Sequence, residues 1–234
     1  MAEGVTPPTS TPASGPRREV HCADAIAWLQ GHDAPLAGCS FITSLPDVSE
    51  LPHLGGVEGW SRWFTDAARL VLSRTPDEGV AIFFQSDVKK DGAWIDKGFL
   101  VSRAAADLPG FRTVFHKIVC RKPPGTLTHG RAAYSHLLAF SRGVKLDLAR
   151  ALPDVLPEAG PSPWTRGMGV EACRLACRLV RDSTTTRTVI DPFCGLGSVL
   201  AVANDEGLDA VGVELSAKRA RRAKTLTLQD LTAP

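Results

Sequence analysis

A run of residues from 188 to 216, TVIDPFCGLGSVLAVANDEGLDAVGVELS, combines acidic residues with closely spaced glycines. Asp191 follows an apolar, β-branched pair, as at the end of a buried strand. Gly195 and Gly197 permit a tight turn and a close approach of a ligand to the backbone. Ser198 comes next, near the start of a predicted helix, where unpaired N–H groups favour an acceptor. The pattern indicates a ligand-binding turn between a strand and a helix.

A second predicted strand ends at Glu214, where a carboxylate can accept hydrogen bonds from both hydroxyls of a ribose. The turn lacks the GxGxxG pattern, and a carboxylate at Asp191 would repel a pyrophosphate. It suits a positively charged ligand instead. S-adenosylmethionine fits, because it carries an ammonium, a sulfonium and a ribose but no phosphate. The alternative is a plain strand-to-helix turn with glycines for packing.

The string DPFCGLGS resembles the DPFCGSGT motif of the S-adenosylmethionine-dependent methyltransferases that modify amino groups of nucleic acids. In one permuted group of that family, the catalytic half of the chain precedes the cofactor half. Other segments resemble that group in order, from about Glu19 to Lys224: EVHCADAIAWL, FITSLPD, GVAIFFQSDVKKDG, FRTVFHKIVCRKP, SHLLAFSR and PSPWTRGMGVEACRLACRLV. The resemblance implies one circularly permuted domain of the class I methyltransferase type, a doubly wound, Rossmann-like α/β fold.

The resemblance also implies which residues bind the cofactor. The methionine portion would contact Asp191, Phe193, Gly195 and Gly197, with Ser198 beside them, and Glu214 would bind the ribose. Asp24 matches an adenine-side contact, and the alternative for this residue is the N-cap of a helix. Thr43 is also predicted to belong to this set. Trp164, together with Pro163 and Thr165, would border the methionine carboxylate; the alternative for Trp164 is a place in the core.

The predicted catalytic corner reads Ser44, Leu45, Pro46, Asp47 and matches the family's (D/N/S)PP(Y/F/W) motif only in part. In the family, the first residue and a backbone carbonyl bind the target amine, and the aromatic residue stacks on the flipped base. We predict Ser44, Pro46 and Asp47 as catalytic residues. Asp47 replaces the aromatic, so its carboxylate would accept from an exocyclic amine or from a cationic side chain. The alternative is a purely structural turn in a protein without activity.

Because Asp47 removes the stacking platform, Trp60, Trp63 or Trp164 would have to supply it. Substrate contacts are predicted at His53, which is alternatively a solvated loop residue, and at Lys122 and Arg131. His136 is predicted to pack in the core with a hydrogen bond. Two basic groups would form a local phosphate track if they cluster: Lys89, Lys90 and Lys97, and Arg121, Lys122, His129 and Arg131. The basic helix AKRARRAK is expected to be solvated.

Seven strand candidates, several of them separated by helices, predict a mostly parallel sheet with helices on both faces. The adjacent candidates FRTVFHKIVCRK and YSHLLAFSR lack an intervening helix, so they should be antiparallel. A helix is expected from Ala23, and another over GGVEGWSRWFTDAARLVLSR. The lysine-containing segment after GVAIFFQSD is expected to be a polar loop.

The composition fits a globular protein, with 234 residues, 44% hydrophobic and 22% charged, and a net charge of +2 gives no global basic field. No apolar run reaches the length of a membrane span, and no secretory signal is evident. We expect a disordered tail over residues 1–18, a single domain over 19–230 and a cytoplasmic protein with reduced cysteines. Cys173 and Cys177 should share a packed helix face rather than bind a metal.

The substrate prediction favours a nucleic acid, and RNA over DNA, because the loops leave no room for a large insert that reads bases in a groove. Methylation of DNA, or of a protein or small molecule, is an alternative. So is a catalytically silent subunit that only binds the cofactor.

Overall fold

The computed structural model describes residues 15–147, 152–163 and 167–232. These residues form an eight-stranded sheet with helices on both faces and a separate two-stranded hairpin. The strands are β1 (Arg18–Cys22), β2 (Cys39–Thr43), β3 (Ala81–Gln85), β4 (Val88–Lys90), β5 (Ala93–Ile95), β6 (Arg112–Cys120), β7 (Tyr134–Ser141), β8 (Val155–Leu156), β9 (Thr188–Asp191) and β10 (Asp209–Glu214). The helices are α1 (Ala25–Gln30), α2 (Gly56–Ser73), α3 (Lys97–Ala106), α4 (Val170–Ser183), α5 (Ser198–Asp205), α6 (Ala217–Thr225) and α7 (Leu228–Thr232).

The sheet has the order β1-β10-β9-β2-β3-β7-β6-β8. The first five strands in this order are parallel, and β7 runs antiparallel to both β3 and β6. All seven predicted strands are present, and the sheet is mostly parallel as predicted, including the antiparallel late pair. The eighth strand, β8, was not predicted. It has two residues, which is too short to show any periodicity.

The chain changes direction across the sheet between β2 and β9, which lie side by side. From β2 it passes through α2 to β3 on one side, and from β9 through α5 to β10 on the other. In open α/β sheets such a switch point opens a crevice at the carboxyl ends of the strands. The Ser44–Asp47 corner follows β2 and the glycine turn follows β9, so the topology brings both to this crevice.

The core lies on both faces of the sheet. One face packs against α4 and α5, and the other against α2 and α3. The residues of α2 that show helical spacing in the sequence are all buried, as predicted: Trp60, Phe64, Ala67, Ala68 and Val71. Cys173 and Cys177 are buried on one face of α4, as expected for a packed helix. Among the described helices, none is both long and apolar enough to cross a membrane.

Two boundaries differ from the prediction. Strand β1 begins at Arg18, inside the segment assigned to the tail, because Arg18 pairs in register with Ala210 of β10. Residues 1–14 of that segment lie outside the described residues. Helix α1 begins at Ala25 rather than Ala23, because the side chain of Asp24 caps it by accepting from the Ala27 backbone N–H.

The segment predicted as a polar loop after β3 forms the hairpin of β4 and β5. Its turn residues, Asp91 and Gly92, have φ angles of 51° and 75°. Asp-Gly pairs favour two-residue hairpin turns, since both residues tolerate positive φ. Strand β4 also pairs with Arg131 through Val88, and the Lys89 N–H donates to the Gly130 carbonyl. The hairpin thereby fixes the loop that carries Arg131.

Replacing Gly197 tests the packing of the glycine turn. Its φ is 91°, and a Cβ there would lie 2.8 Å from the Ala223 Cα on α6. Gly197→Ala should therefore lower the free energy of unfolding by about 2–4 kcal/mol, from backbone strain and overpacking. The control is Gly207→Ala, with a φ of 80° and no atom within 4 Å of a Cβ, which should lose only about 1–2 kcal/mol. Equal losses in urea denaturation would contradict the close packing on α6.

Candidate functional site

A cavity of about 680 Å³ lies at the carboxyl ends of the five parallel strands. Each strand contributes at least one polar residue to its wall: Asp24 after β1, Glu214 from β10, Asp191 from β9, Ser44 after β2 and Gln85 from β3. Because the strands are parallel, their carboxyl ends meet at one edge of the sheet. Side chains that are far apart in the sequence therefore share one cavity.

Most of the predicted site residues line this cavity. From the cofactor set these are Asp24, Asp191, Phe193, Gly195, Ser198 and Glu214. From the catalytic and substrate sets they are Ser44, Pro46, Asp47, His53 and Arg131. The predicted corner and the glycine turn thus face the same space.

Three predicted residues are not among those that line the cavity. Thr43 is fully buried and acts through Asp191, to which its hydroxyl donates. Gly197 packs against Ala223 of α6. Lys122 is exposed and lines a neighbouring groove of about 700 Å³, which shares Gly167 with the cavity. Trp164 and Thr165 lie outside the described residues.

The glycine turn lies flat against β10. The Cys194 N–H donates to the Val213 carbonyl at 3.0 Å. A Cβ on Gly212 of β10 would lie only 2.8 Å from the Cys194 Sγ, so glycine is needed for this close approach. Gly195 has a φ of 54°, and a Cβ at this residue would have no atom within 4 Å, which leaves open space above it. At Gly195 the turn therefore presents backbone, not side chain, to a ligand.

Asp191 is the most deeply buried carboxylate of the cavity wall, with 4% of its surface exposed. Its Oδ1 accepts from the Thr43 hydroxyl at 2.7 Å and from the Phe193 N–H at 3.2 Å. Burial raises the pKa of Asp191 to about 7; the two hydrogen bonds oppose this shift, and the charge of Glu214 adds to it. A cationic ligand group here would compensate a carboxylate that is costly to ionise.

Two further carboxylates extend this acidic end of the cavity. Glu214 Oε1 accepts from the Ser216 N–H at 2.7 Å and from the Arg219 Nε at 3.0 Å. No hydrogen bond within the described chain involves its Oε2, so that oxygen can accept from a ligand. Asp24 caps α1 through Ala27 and also lines the cavity, so both alternatives weighed for it agree with the geometry.

At the other end of the cavity, the carboxylate of Asp47 is already bound by protein groups. Oδ1 accepts from the Val48 N–H at 2.7 Å and caps a short 3-10 helix, Val48–Glu50. Oδ2 forms an ion pair with Arg131. Of the two partners considered for Asp47, an amine or a cationic side chain, the structure provides the cation. Asp47 therefore fixes the corner, and Ser44, whose hydroxyl has no hydrogen bond among the described residues, is the group open to a ligand.

Lys97 lines the same end of the cavity and differs from its prediction as part of a phosphate track. Its side chain is buried, with 2% exposed, at the first residue of α3. The ammonium lies 3.8 Å from Asp47 Oδ1 and 5.7 Å from the centre of the Trp60 ring. Burial lowers the pKa of Lys97 to about 8, partly offset by Asp47. The sequence shows this lysine only as one of several in a polar stretch.

The aromatic residues considered as a stacking platform have different positions. Trp60 is fully buried, and its Nε1 donates to the Pro46 carbonyl at 3.2 Å, so it stabilises the Ser44–Asp47 corner from within the core. Trp63 lines the cavity and packs edge-on against Phe193, with 6.2 Å between ring centres. Among the described tryptophans, Trp63 is the one available to a flat ligand in the cavity.

Gln85 is a cavity residue that the sequence analysis missed. It is 1% exposed, and its Nε2 and Oε1 have no hydrogen-bond partner in the described chain. An unsatisfied buried polar group costs about 1–3 kcal/mol. The available signal was a polar residue at the end of the apolar run GVAIFF, but the sequence does not show what surrounds it.

A second polar network lies beside the cavity. His136 is buried, and its Nε2 lies 3.0 Å from Asp87 Oδ2, which agrees with the predicted core packing with a hydrogen bond. Its Nδ1 lies 2.9 Å from the Nε2 of His116. Potential metal-ligand atoms of Asp87, Asp96 and His136 lie within 4.8 Å of one another. Both oxygens of Asp87 already accept protein hydrogen bonds, from Trp94 and from the backbone of Lys97, so the group forms a structural network.

No protein-family model matches the sequence, and no curated protein matches it. Solved structures do match. TTHA0409 of Thermus thermophilus, a proposed DNA modification methylase, in complex with S-adenosyl-L-methionine, has a TM-score of 0.68 at 20% identity, over 93% of this chain and 97% of that chain.

The PvuII cytosine-N4-specific DNA methyltransferase has a TM-score of 0.66 at 16% identity, over 92% of this chain and 90% of that one. The M1.HpyAVI complex with the same cofactor has a TM-score of 0.56 at 13% identity, over 88% and 97%. Likeness at these identities is a likeness of fold. The chain thus has a mostly parallel α/β fold of the class I methyltransferase type.

Proposed function

We propose that the protein is an S-adenosylmethionine-dependent methyltransferase that acts on an amino nitrogen of a nucleic-acid base. The observation that carries the proposal is the single cavity in which the Asp191–Ser198 turn faces the Ser44–Asp47 corner. The similar fold of two structures in complex with this cofactor supports it.

The acidic end of the cavity fits the chemistry of this cofactor. Asp191 would bind the ammonium of the methionine portion, and Glu214 Oε2 would accept from the ribose hydroxyls. The open space above Gly195 admits the ligand next to backbone N–H groups. The edge-on pair of Trp63 and Phe193 provides apolar surface for a flat ring.

The opposite end would hold the methyl acceptor. The Ser44 hydroxyl accepts from the target amine, which directs the nitrogen lone pair toward the donor methyl group. The lone pair forms the new N–C bond as the C–S bond of the sulfonium breaks, S-adenosylhomocysteine leaves, and the extra proton passes to solvent. Such a transfer depends on placement in a polar cradle rather than on a strong base. Asp47 is already bound by Arg131 and the Val48 N–H, and this is compatible with the proposed transfer, because no carboxylate has to accept the proton.

A nucleic-acid acceptor is supported by the similarity to DNA methyltransferases. The neighbouring groove, which shares Gly167 with the cavity, carries Arg121 and Lys122 but also Glu158 and Glu171, so its charge does not select a polyanion. The lack of a large insert does not favour RNA over DNA, because the alignment with the PvuII DNA methyltransferase covers 92% of this chain and 90% of that one. A compact chain is thus compatible with a DNA enzyme. DNA is the acceptor that these similarities favour, and RNA is the alternative that the experiment below separates from it.

A transfer assay tests the function. The purified chain, incubated with methyl-labelled S-adenosylmethionine, should transfer label to DNA, with RNA and protein fractions from the same cells as parallel acceptors. Mass spectrometry of nucleosides should find the label on an amino nitrogen. Label in protein alone, or bound cofactor with no transfer to any fraction, would contradict the proposal.

The raised pKa of Asp191 predicts how cofactor affinity depends on pH. A cationic ligand favours the ionised carboxylate, so affinity should rise from about pH 5.5 to about pH 7 and then level off. The α-amino group of the ligand, with an ordinary pKa of about 7.7–8.0, stays protonated over this range. Asp191→Asn should abolish the slope and weaken binding about 10- to 100-fold at about pH 7.5. Asp209→Asn, at the far end of β10, is the matched control for calorimetry.

The free energy of unfolding should depend on pH in the opposite direction to the cofactor affinity. Asp191 ionises near 3.8 when unfolded and about 7 when folded, so the unfolded state binds fewer protons between these values. This carboxyl therefore makes the ligand-free protein less stable as the pH rises from about 4 to 7. Asp191→Asn should remove that part of the pH dependence in urea denaturation. An unchanged profile would show that Asp191 ionises normally.

A further inference from the structure

Gln85 has the one buried carboxamide without a hydrogen bond in the part of the chain that the structure describes. Both Nε2 and Oε1 lack partners, although the residue is 1% exposed and lines the cavity. The other buried polar side-chain atoms of the described residues are satisfied, including the neighbouring Ser86, whose hydroxyl lies 2.5 Å from that of Ser135. The unpaired amide is therefore a local exception.

Folding gives no reason for an amide at this position. A leucine of similar shape would fill the same space without leaving a donor and an acceptor unpaired. The preceding residues of β3 are apolar and buried, so the strand does not need a polar residue here. What remains is a donor and an acceptor available to a ligand in the cavity.

The position of Gln85 places it beside the acceptor corner. Thr43 of β2 pairs with Phe83 of β3, so Gln85, two residues further on, lies next to the Ser44–Asp47 corner. Ser44 and Gln85 line the same cavity, and neither side chain is hydrogen-bonded within the described residues. Two polar side chains without hydrogen bonds in the described chain thus line the end of the cavity where the proposed function puts the target amine.

We propose that Gln85 selects the target base by reading an amine and the ring nitrogen next to it. Oε1 accepts from the exocyclic amine and Nε2 donates to the unprotonated ring nitrogen. Adenine and cytosine both present this pair, whereas thymine and uracil present a carbonyl in place of the amine. The inference rests on the proposed function and narrows its substrate to amine-bearing bases with an adjacent acceptor. A lysine side chain of a protein substrate presents an amine without an adjacent acceptor, so Gln85 would not recognise it in this way.

In this arrangement Ser44 and Gln85 each bind a different hydrogen of the target amine. One hydrogen of the amine is held by Gln85 Oε1 and the other by the Ser44 hydroxyl. With both hydrogens held, the amine cannot rotate freely, and its lone pair keeps one direction. The bidentate contact through Nε2 sets the angle of the base itself. Gln85 is thus a specificity-determining residue, and its loss should affect the choice of base more than cofactor binding.

Binding of single-stranded hexamers tests this without requiring methyl transfer. The probes are dA, dC and dT hexamers, measured by fluorescence anisotropy with S-adenosylhomocysteine present. The wild-type chain should bind dA or dC about tenfold or more tightly than dT, as one bidentate base contact implies. Gln85→Leu should reduce that preference to less than about twofold, while its melting temperature rises because the unpaired amide is gone.

The matched control is Gln229→Leu, on the short surface helix α7, which should keep the preference. A hexamer that replaces the ring nitrogen of its preferred base by C–H should lose affinity on the wild-type chain but not on Gln85→Leu. A wild-type chain without preference for amine-bearing bases, or an unchanged preference in Gln85→Leu, would overturn the inference. Absence of methyl transfer, by contrast, would count against the proposed function, whereas the relative affinities for the dA, dC and dT hexamers could still be measured and compared.

Discussion

The hydrogen bond from the Thr43 hydroxyl to Asp191 joins the ends of two strands that lie 148 residues apart in sequence. These strands, β2 and β9, are the neighbours between which the sheet changes direction. One continues into the acceptor corner and the other into the glycine turn, so this contact fixes the two halves of the cavity relative to each other. It also holds a buried carboxylate in place. Because the pKa of Asp191 is raised to about 7, the site binds a cation best when that carboxylate is ionised.

Charge is distributed unevenly along the cavity. The end at β1, β10 and β9 carries three carboxylates and one cation, Asp24, Glu214, Asp191 and Arg219, whereas the end at β2 and β3 carries two cations and two carboxylates, Lys97, Arg131, Asp47 and Glu50. Two cations face two carboxylates at the acceptor end, which is therefore close to neutral, whereas three carboxylates face one arginine at the acidic end. This asymmetry orients a positively charged ligand along the cavity. The charge of Asp47 is balanced by protein cations, so an acidic residue is compatible with this position of the cavity wall.

The sequence predicted the elements with strong periodicity and the residues at strand ends. Helix α2 and the seven main strands follow from the spacing of apolar residues, and the carboxyl ends of parallel strands had to meet. It did not predict what depends on distant partners. Asp47 meets Arg131 across 84 residues, and the sequence does not show that this distant partner binds its carboxylate. The burial of Lys97 and the unpaired amide of Gln85 depend on neighbouring elements in the same way. The Asp91–Gly92 turn was the exception, because its hairpin signal is local and could have been used.

The proposed methyl transfer requires a sulfonium donor that lies between the acidic end and the acceptor corner. A crystal structure of the protein with S-adenosylmethionine tests this most directly. We expect the ammonium at Asp191, the ribose hydroxyls at Glu214 and the methyl group directed toward Ser44, with space for an acceptor nitrogen about 3–3.5 Å from the methyl carbon. A cofactor bound elsewhere, or one whose methyl group points away from Ser44, would contradict it.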